Sequence, residues 1–203
     1  MVGDPGLNMA ISRSGTLYLR LRTARNRVVI ACKRLGSVDP TAYVHPTSDV
    51  TTDLVAGPYV FIGRNCNIAP LVTIGPYTML ASNIAIVGDD HNWSEPGVPM
   101  QFAGRPAQQS TTIGADVWLG HGVIVMRGVT IGDGTIVAAG AVVTKDIPSY
   151  EVWAGTPARK LRDRFTHPSQ RGKHEAMLAG PLLPAAFAER PEHYEHAAGG
   201  ERE

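Results

Sequence analysis

The chain has 203 residues, 18% of them charged, with a formal net charge of +1. That length suits one domain with a sizeable core, and the charge balance excludes a general nucleic-acid binder, which needs a marked basic excess. No apolar run approaches the roughly 18–20 residues of a membrane span and no secretory leader is recognisable, so a cytoplasmic location is expected.

Residues 1–43 form a basic N-terminal segment. Within it, "RSGTLYLRLRTARNRVVIACKRL" (13–35) carries seven basic residues and no acidic one. Leu17, Leu21, Ala24, Val28, Ala31 and Leu35 alternate at spacings of four and three, which predicts one apolar face of a helix. Two roles fit such a helix: packing against the rest of the assembly, or peripheral contact with an anionic membrane.

From Val44 an aliphatic residue recurs every six positions: Val44, Val50, Ala56, Ile62, Ile68, Ile74, Leu80 and Ile86. After an interruption the series resumes at Ile113, Leu119, Val125, Ile131, Val137 and Val143. Four positions after these marks the residue is small or β-branched, as at Ser48, Val72, Thr78, Val117 and Thr135. Glycine often follows the mark directly, supplying unusual backbone angles or a close approach between coils. A beat of six is too short for a helical repeat and fits a β-solenoid, each hexad being a short strand and a turn. An antiparallel meander would alternate with period two and turn at irregular lengths. The repeat domain is placed at 44–155.

The interruption, a loop over 88–112, is long for a compact domain, and long ordered loops usually carry function. It contains "GDDHNW", with one histidine, His91, beside Asp89 and Asp90. Histidine titrates near pH 6.5 and suits a general base working near neutrality. Either aspartate can orient the imidazole or simply cap the turn. Cys66 falls at a small-residue position and reads as interior filling, not as a nucleophile. After the last hexad, Thr156, Pro157 and "ARKLRDRF" predict a capping helix over 156–165. Residues 166–203, rich in Pro, Ala, Gly and charge, read as an extended or disordered tail.

The string "DVWLGHGVIVMRGVTIGDGTIVAAGAVVTKDIPSYEVWAGTPARKLRDRF" (116–165), with "VWLG", "VTIG", "VVTKDIP" and "AGTPAR" in order, resembles the hexapeptide-repeat acyltransferases. That family includes sugar and polysaccharide O-acetyltransferases and xenobiotic acetyltransferases. The resemblance implies an all-β fold, a left-handed parallel β-helix with a long extruded loop and flanking N- and C-terminal helices. Fourteen hexads, three to a coil, would make between four and five coils, about 20 Å tall. It also implies a homotrimer with active sites between neighbouring prisms.

Function follows from the same resemblance: transfer of an acetyl group from acetyl-CoA to a hydroxyl of a sugar or glycan, with His91 as general base. Along the later coils, Trp118 and Gly120 would flank the thioester, and His121 would meet the donor. Ala138 and Ala139 would admit the pantetheine arm. Thr144 and Lys145 match positions near the adenine end, and Arg159, Lys160 and Arg162 would meet the phosphates. On the acceptor side Asn67, Asp89 and Asp90 are candidates. Trp93, Met100 and Phe102 would either wall the acceptor or anchor the loop to the prism. N-acylation of an amino sugar or a small xenobiotic is the near alternative. A γ-type zinc hydratase uses the same helix, but His45, His91 and His121 lack the paired histidine spacing, so no metal is expected. An inactive scaffold is the remaining reading.

Overall fold

A computed structural model describes residues 16–88 and 90–183. Its body is a parallel β-solenoid with three flat faces, matching a left-handed β-helix. Face one stacks Ser37–Val38, Val55–Ala56, Val72–Ile74, Thr111–Ile113 and Thr130–Ile131. Face two stacks Tyr43–Val44, Phe61–Ile62, Met79–Leu80, Trp118–Leu119, Ile136–Val137 and Glu151–Ala154. Face three stacks Asp49–Val50, Asn67–Ile68, Ala85–Val87, Ile124–Met126 and Val142–Val143. The first strand thus lies one hexad earlier than the expected start at Val44. Val38 carries the same aliphatic mark and is buried, although Asp39 and not glycine follows it. Six parallel strands on face two make the prism taller than expected, about 24 Å.

The period of six is explained by what points inward. Every mark from Val44 to Val143 is buried except Val50, which is half-buried. The residues two before each mark are buried as well, from Ala42 to Ala141. A narrow triangular interior leaves room for one aliphatic chain per face and one small chain per corner, packed at the density of any protein core. The buried hydroxyls stitch coil to coil: Ser48 Oγ donates to the Gly63 carbonyl at 2.6 Å and accepts from the Cys66 amide at 3.0 Å. Cys66 is fully buried and its sulfur donates to the Ala81 carbonyl at 3.2 Å, as expected of interior filling.

The corners show what the glycines are for. The glycine after each mark does not adopt positive φ; it is where two coils touch. A β-carbon on Gly120 would stand 2.6 Å from the Ala139 nitrogen, so no larger residue fits. Left-handed backbone occurs instead three residues after the mark, at Tyr59, Asn65, Leu71, Tyr77, Asn83, Asp116 and then Gly122, Gly128, Gly134 and Gly140.

Both ends differ from expectation. The N-terminal helix, α1 (Thr16–Cys32), lies across the open end of the first coil. Its inward side is mixed: Val29 and Ile30 pack on the core, Asn26 is buried, and Lys33 donates to the Ser48 carbonyl at 2.7 Å. Leu17, Leu21, Ala24, Val28 and Ala31, the apolar face expected from the spacing, are exposed, and only Leu35 of that series is buried. Arg22 and Arg25 each stand 5.1 Å over the Tyr43 ring, which decides which side turns inward.

At the other end, Arg159–Asp163 is a strand and not the expected capping helix over 156–165. Gly155, at φ 94, and a cis Thr156–Pro157 bond turn it back antiparallel onto Glu151–Ala154. That edge would otherwise expose unpaired backbone groups, and pairing with it overrides local helix propensity. The Trp153 ring, buried beside Ile147 and Ala158, closes the interior.

A helix does follow, α2 (Pro168–Ala179), inside the region read as an extended tail. Pro168 in its first turn and Gly180 after its end are the signals, and Gln170 accepts from the His167 amide at 3.2 Å. It rests on the prism through Arg164 and His174. Arg164 reaches Asp116 Oδ2 at 2.7 Å, while His174 Nε2 lies 2.9 Å from the same oxygen without hydrogen-bond geometry. Asp89 and residues 1–15 and 184–203, which hold part of the expected N-terminal segment and tail, lie outside the described residues.

Candidate active site

The loop leaves the prism after Val87, at the corner between faces three and one. Gly88 makes the exit: its φ is +122, and a β-carbon there would stand 2.8 Å from the Met126 terminal methyl. The positive φ is what requires glycine, since the Met126 methyl ends a flexible side chain that could move aside. His91 follows three residues later, with its side chain about half exposed (47%). Asp90 is within 3.9 Å of its Nε2, too long for a hydrogen bond, so Asp90 does not fix the imidazole in this arrangement.

What holds the histidine in place is its neighbour. The Asn92 amide donates to the Gly104 carbonyl at 3.0 Å, and its side chain donates to the Ala103 carbonyl at 2.9 Å. Asn92 therefore ties the outgoing limb of the loop to the returning one, just beyond a 3-10 turn at Met100–Phe102. The sequence reading overlooked it, though an asparagine beside a histidine in a long loop is a natural clamp. Trp93, Met100 and Phe102 are 79%, 62% and 73% exposed. They do not anchor the loop to the prism of their own chain, and they present three large apolar side chains outward.

A second constellation runs up the corner after face two. Trp118 projects from that face, half exposed at 50%. His121 follows at the corner, where its Nε2 lies 3.2 Å from the Asn83 amide nitrogen one coil below. One coil above, the Gly140 amide donates to the His121 carbonyl at 2.8 Å, and Gly120 sits tight beneath Ala139. Still higher, the Thr156 hydroxyl donates to the Gly140 carbonyl at 3.4 Å. Small residues and tightly stacked backbone leave this edge open beside Ala138, Ala139 and Gly140. Exposed backbone at Ala139 and Gly140 offers polar groups along this edge to a long, thin ligand.

The cations expected near it divide into two groups. Lys160 is engaged, 2.7 Å from Asp163 and 2.8 Å from Glu151, and these carboxylates, Asp163 first, hold its ammonium above the usual lysine range. Lys145 stands 5.3 Å over the Trp153 ring at the end of the prism, next to exposed Thr144. Arg159 and Arg162 are exposed, and each makes one hydrogen bond to a backbone carbonyl, those of Ala158 and Asp163 respectively. Asn67 lies exposed on face three between Asp49 and Ala85, away from the edge of Trp118. Within one chain, His91 and Trp118 thus occupy different edges of the prism.

Known proteins are similar to this chain in sequence and fold. A family model described as bacterial transferase hexapeptide (six repeats) matches residues 110–145. The galactoside O-acetyltransferase of Escherichia coli (strain K12) is 38% identical over 92 residues, 45% of this chain and 44% of that one. The chloramphenicol acetyltransferase of Morganella morganii is 30% identical over 134 residues, 61% of this chain and 58% of the relative. The crystal structure of a maltose O-acetyltransferase from Clostridium difficile 630 superposes with a TM-score of 0.56 at 26% identity, over 74% of this chain and 90% of that one.

The chain carries the bacterial transferase hexapeptide repeat and resembles the hexapeptide-repeat acyltransferases in sequence and fold. It spans about half the length of the curated relatives it matches. The matched hexapeptide stretch starts at the strand by which the loop returns and ends at Lys145. It therefore includes the edge of Trp118, His121 and Ala139 and leaves His91 outside. The hexapeptide repeat thus supplies the edge, and the loop supplies the histidine.

Proposed function

We propose that this protein is an acetyl-CoA-dependent O-acetyltransferase acting on a hydroxyl of a sugar or glycan, with His91 as the general base. The observation that carries this reading is the single break in the coil stack, which presents one clamped, half-exposed histidine outside the prism. Relatives named as galactoside and maltose O-acetyltransferases support the reaction type and the acceptor class. An N-acyltransferase from Bacillus cereus, which shares the fold at 18% identity and a TM-score of 0.50, is described in complex with coenzyme A.

The base and the donor edge occupy different corners, so the active site takes one from each of two neighbouring chains in a homotrimer. The exposed Trp93, Met100 and Phe102 would then meet the neighbour and line the acceptor side. Along the donor edge, Trp118 and His121 stand near the thioester, Ala138 and Ala139 admit the pantetheine arm, and Thr144, Lys145, Arg159 and Arg162 meet the distal end.

The chemistry needs no covalent enzyme intermediate. The neutral imidazole of His91 takes the proton of the acceptor hydroxyl as its oxygen bonds to the acetyl carbonyl carbon. The tetrahedral intermediate then collapses, the carbon–sulfur bond breaks, and the departing thiolate takes the proton back from His91. Products are the acetyl ester and free coenzyme A. A second reading has a small antibiotic as acceptor and is favoured by the 30% identity to chloramphenicol acetyltransferase. A screen of sugars, glycan fragments and chloramphenicol with acetyl-CoA, followed by thiol release, separates the two. Turnover on chloramphenicol with none on any sugar would overturn the glycan reading.

A further inference from the structure

We infer that α1 is a peripheral docking surface for an anionic lipid bilayer. Its outward side carries Leu17, Leu21, Ala24, Val28 and Ala31 in one stripe, with Leu17, Leu21 and Val28 exposed to 57%, 54% and 62%. Large aliphatic side chains spaced by four and three along a helix and left in water are costly unless something apolar meets them. The helix already buries its other side on the first coil, so the stripe is not its means of attachment to the protein.

Charge identifies the occupant. Arg20 and Arg27, seven residues apart on α1, border the stripe, Arg34 follows just past the helix end, and all three are exposed. Arg22 and Arg25 are committed to Tyr43 on the other flank. No acidic residue lies anywhere in 13–35. An apolar stripe bordered by arginines on one side suits aliphatic chains below and phosphate head groups above. At the C-terminal end of α1, Arg27 and Arg34 flank a recess of about 260 Å³ lined by Ile30, Ala31, Leu35 and Pro40, sized for part of a lipid head group or chain. No described helix is long and apolar enough to cross a membrane, so α1 lies on the surface instead of spanning it.

The position of α1 multiplies the effect. It covers the end of the prism, with the stripe on the side not packed against the first coil. In the proposed trimer, three parallel prisms would present three such helices on one end. Avidity then strengthens contacts that are weak singly. An enzyme so held works on an acceptor at the bilayer, which places its sugar on a lipid carrier.

The test is sedimentation of the full-length protein with vesicles of phosphatidylcholine containing phosphatidylglycerol, compared with phosphatidylcholine alone. Binding is expected only with the anionic lipid and is expected to weaken severalfold at high salt. Arg20→Gln with Arg27→Gln should weaken it at least tenfold, and Leu21→Glu with Val28→Glu should abolish it. All four residues are exposed, so both variants should melt like the parent and keep turnover on a soluble acceptor. Intact protein that ignores anionic vesicles at low salt overturns the inference. So does a leucine–valine variant that changes oligomeric mass by light scattering, which would show that the stripe packs against a second copy. Vesicle binding is independent of acetyl transfer, so failure here leaves the proposed reaction standing.

Discussion

The Thr78 hydroxyl accepts a hydrogen bond from the amide of Val117, thirty-nine residues later, in the place where the Ser48 hydroxyl accepts from the amide of Cys66, eighteen later. The two bonds are equivalent steps from one coil to the next, so the extra twenty-one residues contribute nothing to the prism. They are an insertion in the strict sense.

Removing residues 89–109 should therefore leave the solenoid intact. The junction joins Gly88 to Ser110, so Ile86 and Ile113 stand six apart and the hexad is restored. We expect the same β signal by circular dichroism, a cooperative melt, and no acetyl transfer. A deletion that fails to fold would show that the loop supports the coils.

His91→Ala is the sharper version. It should lower turnover about a hundredfold or more, the size expected for a lost general base, while coenzyme A binding by calorimetry stays unchanged. Asn92→Ala keeps the imidazole but loses both bonds to Ala103 and Gly104. It should lower turnover less and, unlike His91→Ala, leave the pH dependence of the limiting rate in place. Near-normal turnover by folded His91→Ala protein would remove the histidine from the chemistry.

The basic residues after the last coil should separate by their partners. Lys145 and Arg159 have no carboxylate partner among the described residues, whereas Lys160 is held by Glu151 and Asp163. Replacing Lys145 and Arg159 together by Gln should raise the Michaelis constant for acetyl-CoA more than it lowers the limiting rate. Lys160→Gln should leave that constant alone and instead loosen the terminal hairpin. The opposite pattern would put Lys160 in the donor site.

The two thiols should differ in reactivity. Burial, only partly offset by hydrogen bonds, pushes the Cys66 thiol above its ordinary range, while Cys32 is exposed on α1. Since the thiolate is the reactive form, an aromatic disulfide reagent near neutral pH should titrate Cys32 in the native protein and Cys66 only after unfolding. Rapid labelling of Cys66 in the folded state would mean that the coil around Ser48 and Ala81 opens.

The prism was legible because its interior admits so little. With one aliphatic residue per face, Ile62, Leu80, Leu119 and Val137 could be read as a column from spacing alone, and they are buried as one. The ends were not, because tertiary pairing decides them. "ARKLRDRF" has helical propensity, but the free edge at Glu151–Ala154 takes Arg159–Asp163 as a strand. On α1, apolar periodicity identified a face but left its direction open, and the Tyr43 ring, which captures Arg22 and Arg25, turns it outward. For the site, His91 stood out as the residue at the break, whereas the clamp at Asn92 depends on where the loop returns.

The left-handed corners were also hidden where they use Tyr59, Leu71 and Tyr77, residues that do not advertise positive φ. Leu71 is the clearest case, at φ 63 with its side chain 44% exposed. Asn65 and Asn83 occupy the same corner position with the same sign of φ, and after the loop glycine takes it at Gly122 and Gly140. Left-handed backbone costs an ordinary L-residue about 1–2 kcal/mol, and asparagine much less. The Leu71 amide already donates to Asp53 Oδ2 at 2.7 Å, a bond that does not depend on the side chain. Leu71→Asn should therefore stabilise the protein by about 1 kcal/mol, raising the melting temperature by roughly 2–4 °C. Leu71→Val, β-branched at the same φ, should lower it. If both variants melt below the parent, the Leu71 side chain is making a contact outside its own chain, and the trimer interface is where to look for it.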